Sequence, residues 1–272
     1  MIGTIANIIL DPIFVSGLGQ GAAGAAIATT IGNILASLYY IWYFGRKTKS
    51  LSISPRFFTR KREISLRICS AGLPTAIFSA LMSVSTIVLN QILAVYGNVP
   101  VAAIGIVFKA NMFITFLQMG IANGVQPLLG YSYGDRNPRR FVQVERFTKL
   151  CCLAAGLAAT VLYFVFREPI IRLFINDDEV VICGMKMLTA YMLSGPVIGF
   201  LFVNMNSMQS VGRALPASVL SVLRQGLLLI PLLYALQAAA GMDGVIYGQS
   251  ITDYAAVGLS VILWSRMKKR GL

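Results

Sequence analysis

One carboxylate in this chain stands where a carboxylate is expensive. Asp11 lies inside the apolar run 1–16, and Asn7 sits four residues earlier on the same helical face. Thr29 can approach them from the next apolar segment. A charge at membrane depth costs roughly 2.5–3.5 kcal/mol on insertion scales, so an acid kept there is a functional-site candidate by default. Burial favours its neutral form and a bound cation favours its anion, and alternation between the two is the chemistry such a group offers. The competing reading is a helix-end Asp11-Pro12 step that only shapes a turn.

A second set of polar groups is spread through the later apolar segments. Lys109 and Arg224 are isolated cations inside such segments, and Asp253, one segment on, is a plausible partner for Arg224. They would face a cavity or pair internally; a purely structural ion pair is the plainer account. Lys109 can also reach headgroups by extending its stem. Asn111, Gln126, Asn206 and Gln209 are intramembrane amides, together with Gln91, Asn123 and Asn204. Such groups either line a cavity or hydrogen-bond between helices. Met82, Met112, Met119, Met205 and Met208 offer soft, adaptable surface, although ordinary packing accounts for most of them.

Other chemistries are excluded by what is missing. The sequence has no histidine, which removes the commonest acid–base and metal-binding side chain. Cys69, Cys151, Cys152 and Cys183 form no CxxC pair and read as small hydrophobes, so no metal site and no cofactor is expected. No nucleophile elbow or phosphate-binding glycine loop supports an enzyme; the "GLGQGAAG" run at 17–24 lies between two apolar segments.

The elements that carry these residues must be membrane helices. Hydrophobic residues make up 57% of the chain and charged ones only 12%, against about 25% charged in soluble domains. A bilayer core about 30 Å thick needs roughly 20 apolar residues. Seven stretches qualify, near 22–44, 68–96, 101–131, 148–166, 183–210, 215–238 and 244–265. Residues 1–16 are apolar but short, with neither the basic flank nor the cleavage site of a signal peptide, and read as the end of a span whose beginning is missing.

The net charge of +13 is explained by orientation, not by nucleic acid. Basic residues crowd 45–67, 134–149 and the C-terminal tail, while 17–21, 97–100 and 239–243 carry no Lys or Arg. The loop after 148–166 is mixed, with Arg167 and Arg172 beside Glu168, Asp177, Asp178 and Glu179. The alternation puts the C-terminus in the cytoplasm and the chain in the bacterial inner membrane.

The two ends of the chain resemble each other. "IILDPIFV" at 8–15 aligns with "LLLIPLLY" at 227–234, pairing Pro12 with Pro231. "GAAIATTIGN" at 24–33 aligns with "GVIYGQSITD" at 244–253, pairing Gly24 with Gly244. The offset is 219 at the proline and 220 afterwards. Chance likeness between apolar helices is one account. A repeat instead implies two parallel halves with a substrate site between them. On that reading residues 1–45 are a remnant of the first half, 46–67 a basic cytoplasmic linker and 68–272 a complete second half, with about four and a half spans missing at the N-terminus.

Several segments then resemble the multidrug and toxic compound extrusion (MATE) family, especially its MepA-like branch. These are "NIILDPIFVSGLGQGAAGAAIATTIG" (7–32), "GLPTAIFSALMSVSTIVLNQIL" (72–93), "GIANGVQPLLGYSYGDRNPRR" (120–140) and "MQSVGRALPASVLSVLRQGLLLIP" (208–231). The resemblance implies an all-α, two-lobe helix bundle, of which this chain would hold seven full transmembrane helices plus one partial helix. It implies export of organic cations in exchange for H⁺ or Na⁺, the lipid bilayer and small drugs as partners, and the missing helices as a requirement for a complete transporter. It places Asn7, Asp11 and Thr29 in an N-lobe cation network; the intramembrane polar residues Lys109, Asn111, Gln126, Asn206, Gln209, Arg224 and Asp253 are the candidates for the substrate cavity. The cation-binding glutamate of some branches has no counterpart in "SALMSVST" (79–86). A lipid-linked saccharide flippase of the same superfamily and a non-transporting half-transporter are the alternatives.

Overall fold

The computed structural model describes residues 2–17, 19–46 and 62–269, with the backbone alone at 2, 16, 46, 62–75 and 269. Residues 47–61 of the expected linker, the Cys69 side chain and the tail beyond 269 lie outside the described residues. The described residues are almost wholly helical: α1 (Ile2–Pro12) continues into a π-helical turn (Ile13–Gly17), then α2 (Gly21–Arg46), α3 (Arg62–Ala94), α4 (Asn98–Gly134), α5 (Pro138–Val165), the short α6 (Arg167–Arg172), α7 (Asp178–Met192), α8 (Gly195–Ser210), α9 (Ala214–Val222), a π-helical segment (Leu223–Leu228) and α10 (Leu229–Lys269). Two compact units result, Met1–Arg67 and Ile68–Leu272.

The helices wear their apolar side chains outward. Phe113, Phe116, Val161, Leu162 and Phe164 are all more than half exposed. A helix satisfies its own backbone, so lipid can solvate such a surface where water would not. Among the described residues five helices are long and apolar enough to cross a membrane, or six if the bent pair α7–α8 counts as one span. The expected count of seven full spans is not confirmed by length and composition alone. Residues 215–238 and 244–265, expected as two, run through one 55-residue apolar stretch, Ala214–Lys268. Straight, that stretch would reach about 80 Å, far beyond a bilayer core. Its backbone is non-helical at Gly241 (φ 60°, ψ −139°), the point where the chain turns between two span lengths.

The fifth helix also departs from expectation. Its apolar part is expected from 148, but α5 starts at Pro138, because Asn137 caps the Arg140 N–H at 3.1 Å and Pro138 fits the first turn. Arg139, Arg140, Arg146 and Lys149 are thus helical residues, not loop residues. In the mixed loop, charges pair with each other, Arg172 with Glu168 and Asp178 at 2.9 Å each.

The break between α7 and α8 bends the span by 45° and frees backbone carbonyls halfway along it. Pro196 has no N–H for the carbonyl of Met192. Thr160 on α5 donates its hydroxyl to that oxygen instead, at 3.2 Å. Ser250 meets the carbonyl of Ala190, Tyr254 that of Leu193 at 2.8 Å, and Gln118 that of Gly195 at 2.6 Å. Three other helices therefore replace the hydrogen bonds that the break removes, as a broken helix in lipid requires.

Gln118 is fully buried, and glycines make room for it. A Cβ on Gly156 would lie 2.5 Å from the Gly195 carbonyl oxygen and 2.7 Å from Gln118 Nε2. One on Gly199 would lie 2.5 Å from Cys152 Cβ. Gly156→Ala is therefore expected to push α5 off α8 and lower stability by about 1–3 kcal/mol, read by thermal unfolding in detergent. An unchanged midpoint would show that the crossing has slack.

Candidate functional site

In the first unit, α1 and α2 cross at a pair of glycines. A Cβ on Gly3 would sit 2.6 Å from the Gly32 carbonyl oxygen, and one on Gly32 would sit 2.7 Å from that of Gly3. One turn along each helix from this contact come Asn7 and Thr29, brought face to face. Turned with its nitrogen toward Asp11, the Asn7 amide donates to Asp11 Oδ2 at 3.0 Å, and its oxygen accepts from Thr29 N at 3.1 Å and Thr29 Oγ1 at 3.2 Å. The opposite orientation has Asn7 Nδ2 donating to Thr29 Oγ1 at 3.2 Å, while that hydroxyl donates to the Ala25 carbonyl at 2.9 Å.

The three residues singled out in the sequence thus form one chain of hydrogen bonds. That opposite orientation would turn the Asn7 oxygen toward the Asp11 carboxylate, acceptor against acceptor, so the first orientation is the one that satisfies both ends of the amide. The other oxygen, Asp11 Oδ1, is enclosed and has no partner among the described residues. A buried acceptor left open in this way is costly.

The second unit holds a different constellation. Arg224 Nε donates to Asp253 Oδ1 at 2.7 Å, with the two side chains 15% and 5% exposed. Gln249 Nε2 reaches the same oxygen at 3.0 Å, and Ser194 Oγ, at the α7–α8 break, donates to Asp253 Oδ2 at 2.8 Å. Asn206 pairs with Asn123 at 2.9 Å and Gln126 with Gln209 at 3.3 Å, one turn apart along α4 and α8. These amides join two helices. Lys109 makes no ion pair among the described residues; its Nζ lies 5.7 Å from the centre of the Phe174 ring, a cation–π contact reached by extending the stem. Asn111 makes no side-chain hydrogen bond among the described residues and is not drawn into this network.

Glu145 escaped the sequence reading because it fell in an expected loop. It is buried in α5, accepts from Lys149 Nζ at 2.6 Å and Trp264 Nε1 at 2.8 Å through Oε1, and from Lys268 Nζ at 2.5 Å through Oε2. The Glu145–Lys149 spacing was visible as an i,i+4 pair; the partners on α10, more than a hundred residues away, were not. Glu145→Ala is expected to free the end of α10 and speed tryptic cleavage after Arg266 and Lys268 several-fold. Unaltered cleavage would mean that the helix end is held elsewhere.

With these helices and clusters in place, comparison with known proteins settles the kinship. The MatE family profile matches residues 74–235. The chain belongs to the MatE family. Among curated relatives it is similar to the multidrug export protein MepA of Staphylococcus haemolyticus, 31% identical over 97% of this chain and 58% of that protein. It is similar also to MepA of Staphylococcus saprophyticus, 33% identical over 93% of this chain and 56% of that protein. Among solved structures it is similar to a MATE protein crystallised in complex with MaL6, with TM-score 0.82, 25% identity, and coverage of 98% of this chain and 61% of that one. A MOP superfamily transporter from Pyrococcus furiosus gives the same TM-score and identity. This MatE chain spans about three-fifths of the length of the relatives it matches, and it is a multi-pass membrane protein.

Proposed function

We propose that this MatE chain works in a multidrug efflux transporter that exports organic cations by antiport, with Asp11 as the coupling group. The observation that carries the reading is the Asn7–Asp11–Thr29 relay with one enclosed, unpartnered carboxylate oxygen. A single open oxygen suits a proton better than Na⁺, which gathers several oxygen ligands at once. On this reading the coupling ion is H⁺, no cofactor takes part, and no bond of the exported molecule is broken. The MepA relatives are named for multidrug export, which supports the substrate class. The basic loops support a cytoplasmic C-terminus in a bacterial inner membrane. A lipid-linked saccharide would call for a strongly cationic cavity, and Arg224 is already neutralised by Asp253.

The test is transport by a chimera in which the part of MepA that this chain does not span is supplied from the Staphylococcus haemolyticus protein. In proteoliposomes, a proton gradient alone is expected to drive counter-movement of tetraphenylphosphonium, and a sodium gradient alone is not. Movement that answers to neither gradient would overturn the antiport reading.

A further inference from the structure

The internal repeat extends from sequence into backbone. Gly21 (φ 54°) and Gly241 (φ 60°), 220 residues apart, both take the left-handed conformation at the turn before the last helix of their unit. A Cβ on Gly24 would meet the Phe14 carbonyl oxygen at 2.6 Å, and one on its counterpart Gly244 would meet that of Leu236 at 2.4 Å. In each unit a polar bridge then joins the two helices that the turn connects. In the first, Asn7 and Asp11 face Thr29. In the second, Arg224 faces Asp253, and Gln249, which aligns with Thr29, holds the same carboxylate. One plan thus carries opposite chemistry: an acid with no cation partner among the described residues in the first copy, a guanidinium paired through one edge in the second.

That pairing is specific. Asp253 takes the Nε edge of Arg224, and this is the one hydrogen bond the arginine makes among the described residues. Neither Nη nitrogen carries a hydrogen bond among the described residues, and the side chain keeps 15% of its surface exposed. Arg224 lies ten residues into the stretch that begins at Ala214, about 15 Å along the helix and so near mid-membrane. Lipid tails cannot satisfy four N–H donors, and the two parallel N–H groups at the end of the fork match a carboxylate.

We propose that the outer edge of Arg224 is an anion-recognising subsite that takes the carboxylate of a zwitterionic organic cation; the inference rests on the export reading above. Charge balance selects the zwitterion. The Arg224–Asp253 pair is neutral, so a simple anion would leave an uncompensated negative charge in an apolar region, whereas a zwitterion brings its own cation. Gln249 and Ser194 hold Asp253 in place, so the guanidinium stays anchored while its outer edge engages a ligand.

The probe pair is rhodamine 110, with a free carboxylate, and its methyl ester rhodamine 123, which is a cation only. Binding to the purified chain in detergent is followed by fluorescence polarisation. The wild-type chain is expected to hold the acid about tenfold more tightly than the ester, the factor that one charge-assisted bidentate contact supplies. Arg224→Lys, which keeps the charge but not the fork, is expected to lose most of that preference. The double variant Arg224→Gln/Asp253→Asn leaves no buried charge unpaired; it is expected to fold and to bind both dyes alike, with ester binding unchanged. No preference in the wild-type chain, or a preference that survives in the double variant, overturns the proposal. Because the readout is binding, failure of the subsite is distinguishable from failure of export, which the tetraphenylphosphonium assay reports.

Discussion

Replacing Asp11 by Asn is expected to cut gradient-driven export of tetraphenylphosphonium by roughly a hundredfold, equivalent to about 2.7 kcal/mol in the coupling step. The substitution is nearly isosteric and keeps the helix-end turn before Pro12, so a residue that only shaped that turn would lose nothing. What an amide cannot do is gain and lose a proton. With an amide at this position, the Asn7 side chain meets a group that donates and accepts at every pH. Thr29→Val is expected to cost less, about fivefold, because it deletes one hydrogen bond, worth roughly 1 kcal/mol, and leaves the carboxylate intact. Equilibrium binding of tetraphenylphosphonium should survive in the Asp11→Asn variant within a fewfold. Export that remains at the wild-type rate would remove Asp11 from the mechanism.

This relay was legible before any coordinates because each member carried its own signal. Asp11 is anomalous in an apolar run, Asn7 is one turn away, and Thr29 lies in the next apolar segment, where the family resemblance sets it with the other two. The Arg224–Asp253 pair was legible for the same reason: two lone charges of opposite sign in neighbouring apolar segments have few other partners. Groups whose meaning depends on distant neighbours were not. Nothing local marks Gln118 as the donor that covers the Gly195 carbonyl, or Trp264 as a donor to Glu145. The division of Ala214–Lys268 was legible too: it is apolar throughout, but the short connection expected at 239–243 is where the backbone leaves the helix, at Gly241. The break at Ser194-Gly195-Pro196 was readable in principle, since a proline deep in an apolar helix must free a carbonyl, but hydropathy alone reads residues 183–210 as one unbroken span.

The Arg224–Asp253 pair should respond to mutation as a closed pair does. Asp253→Ala strands a guanidinium that is 15% exposed, and also removes the acceptor of Ser194 and Gln249. Arg224→Met strands a carboxylate that is 5% exposed. Each single change is expected to cost about 3–5 kcal/mol, the usual penalty for breaking a buried pair from one side, and to lower the unfolding midpoint in detergent by on the order of 10 °C. The double variant Arg224→Met/Asp253→Leu removes both charges at once and should recover most of that loss, because apolar replacements of similar volume often match a buried ion pair in stability. The cycle would then show a coupling of roughly 3 kcal/mol between the two sites. Ser194 sharpens the test. Its hydroxyl ties Asp253 to the α7–α8 break, so Asp253→Ala should also loosen the 45° bend, and amide exchange should rise at Leu193 and Gly195. Exchange confined to the π-helical segment Leu223–Leu228 would mean that the carboxylate anchors only the arginine. If the two single losses instead simply added in the double variant, the side chains would not act as a pair in the folded protein, and neither the bridge nor a fork held ready by it would stand.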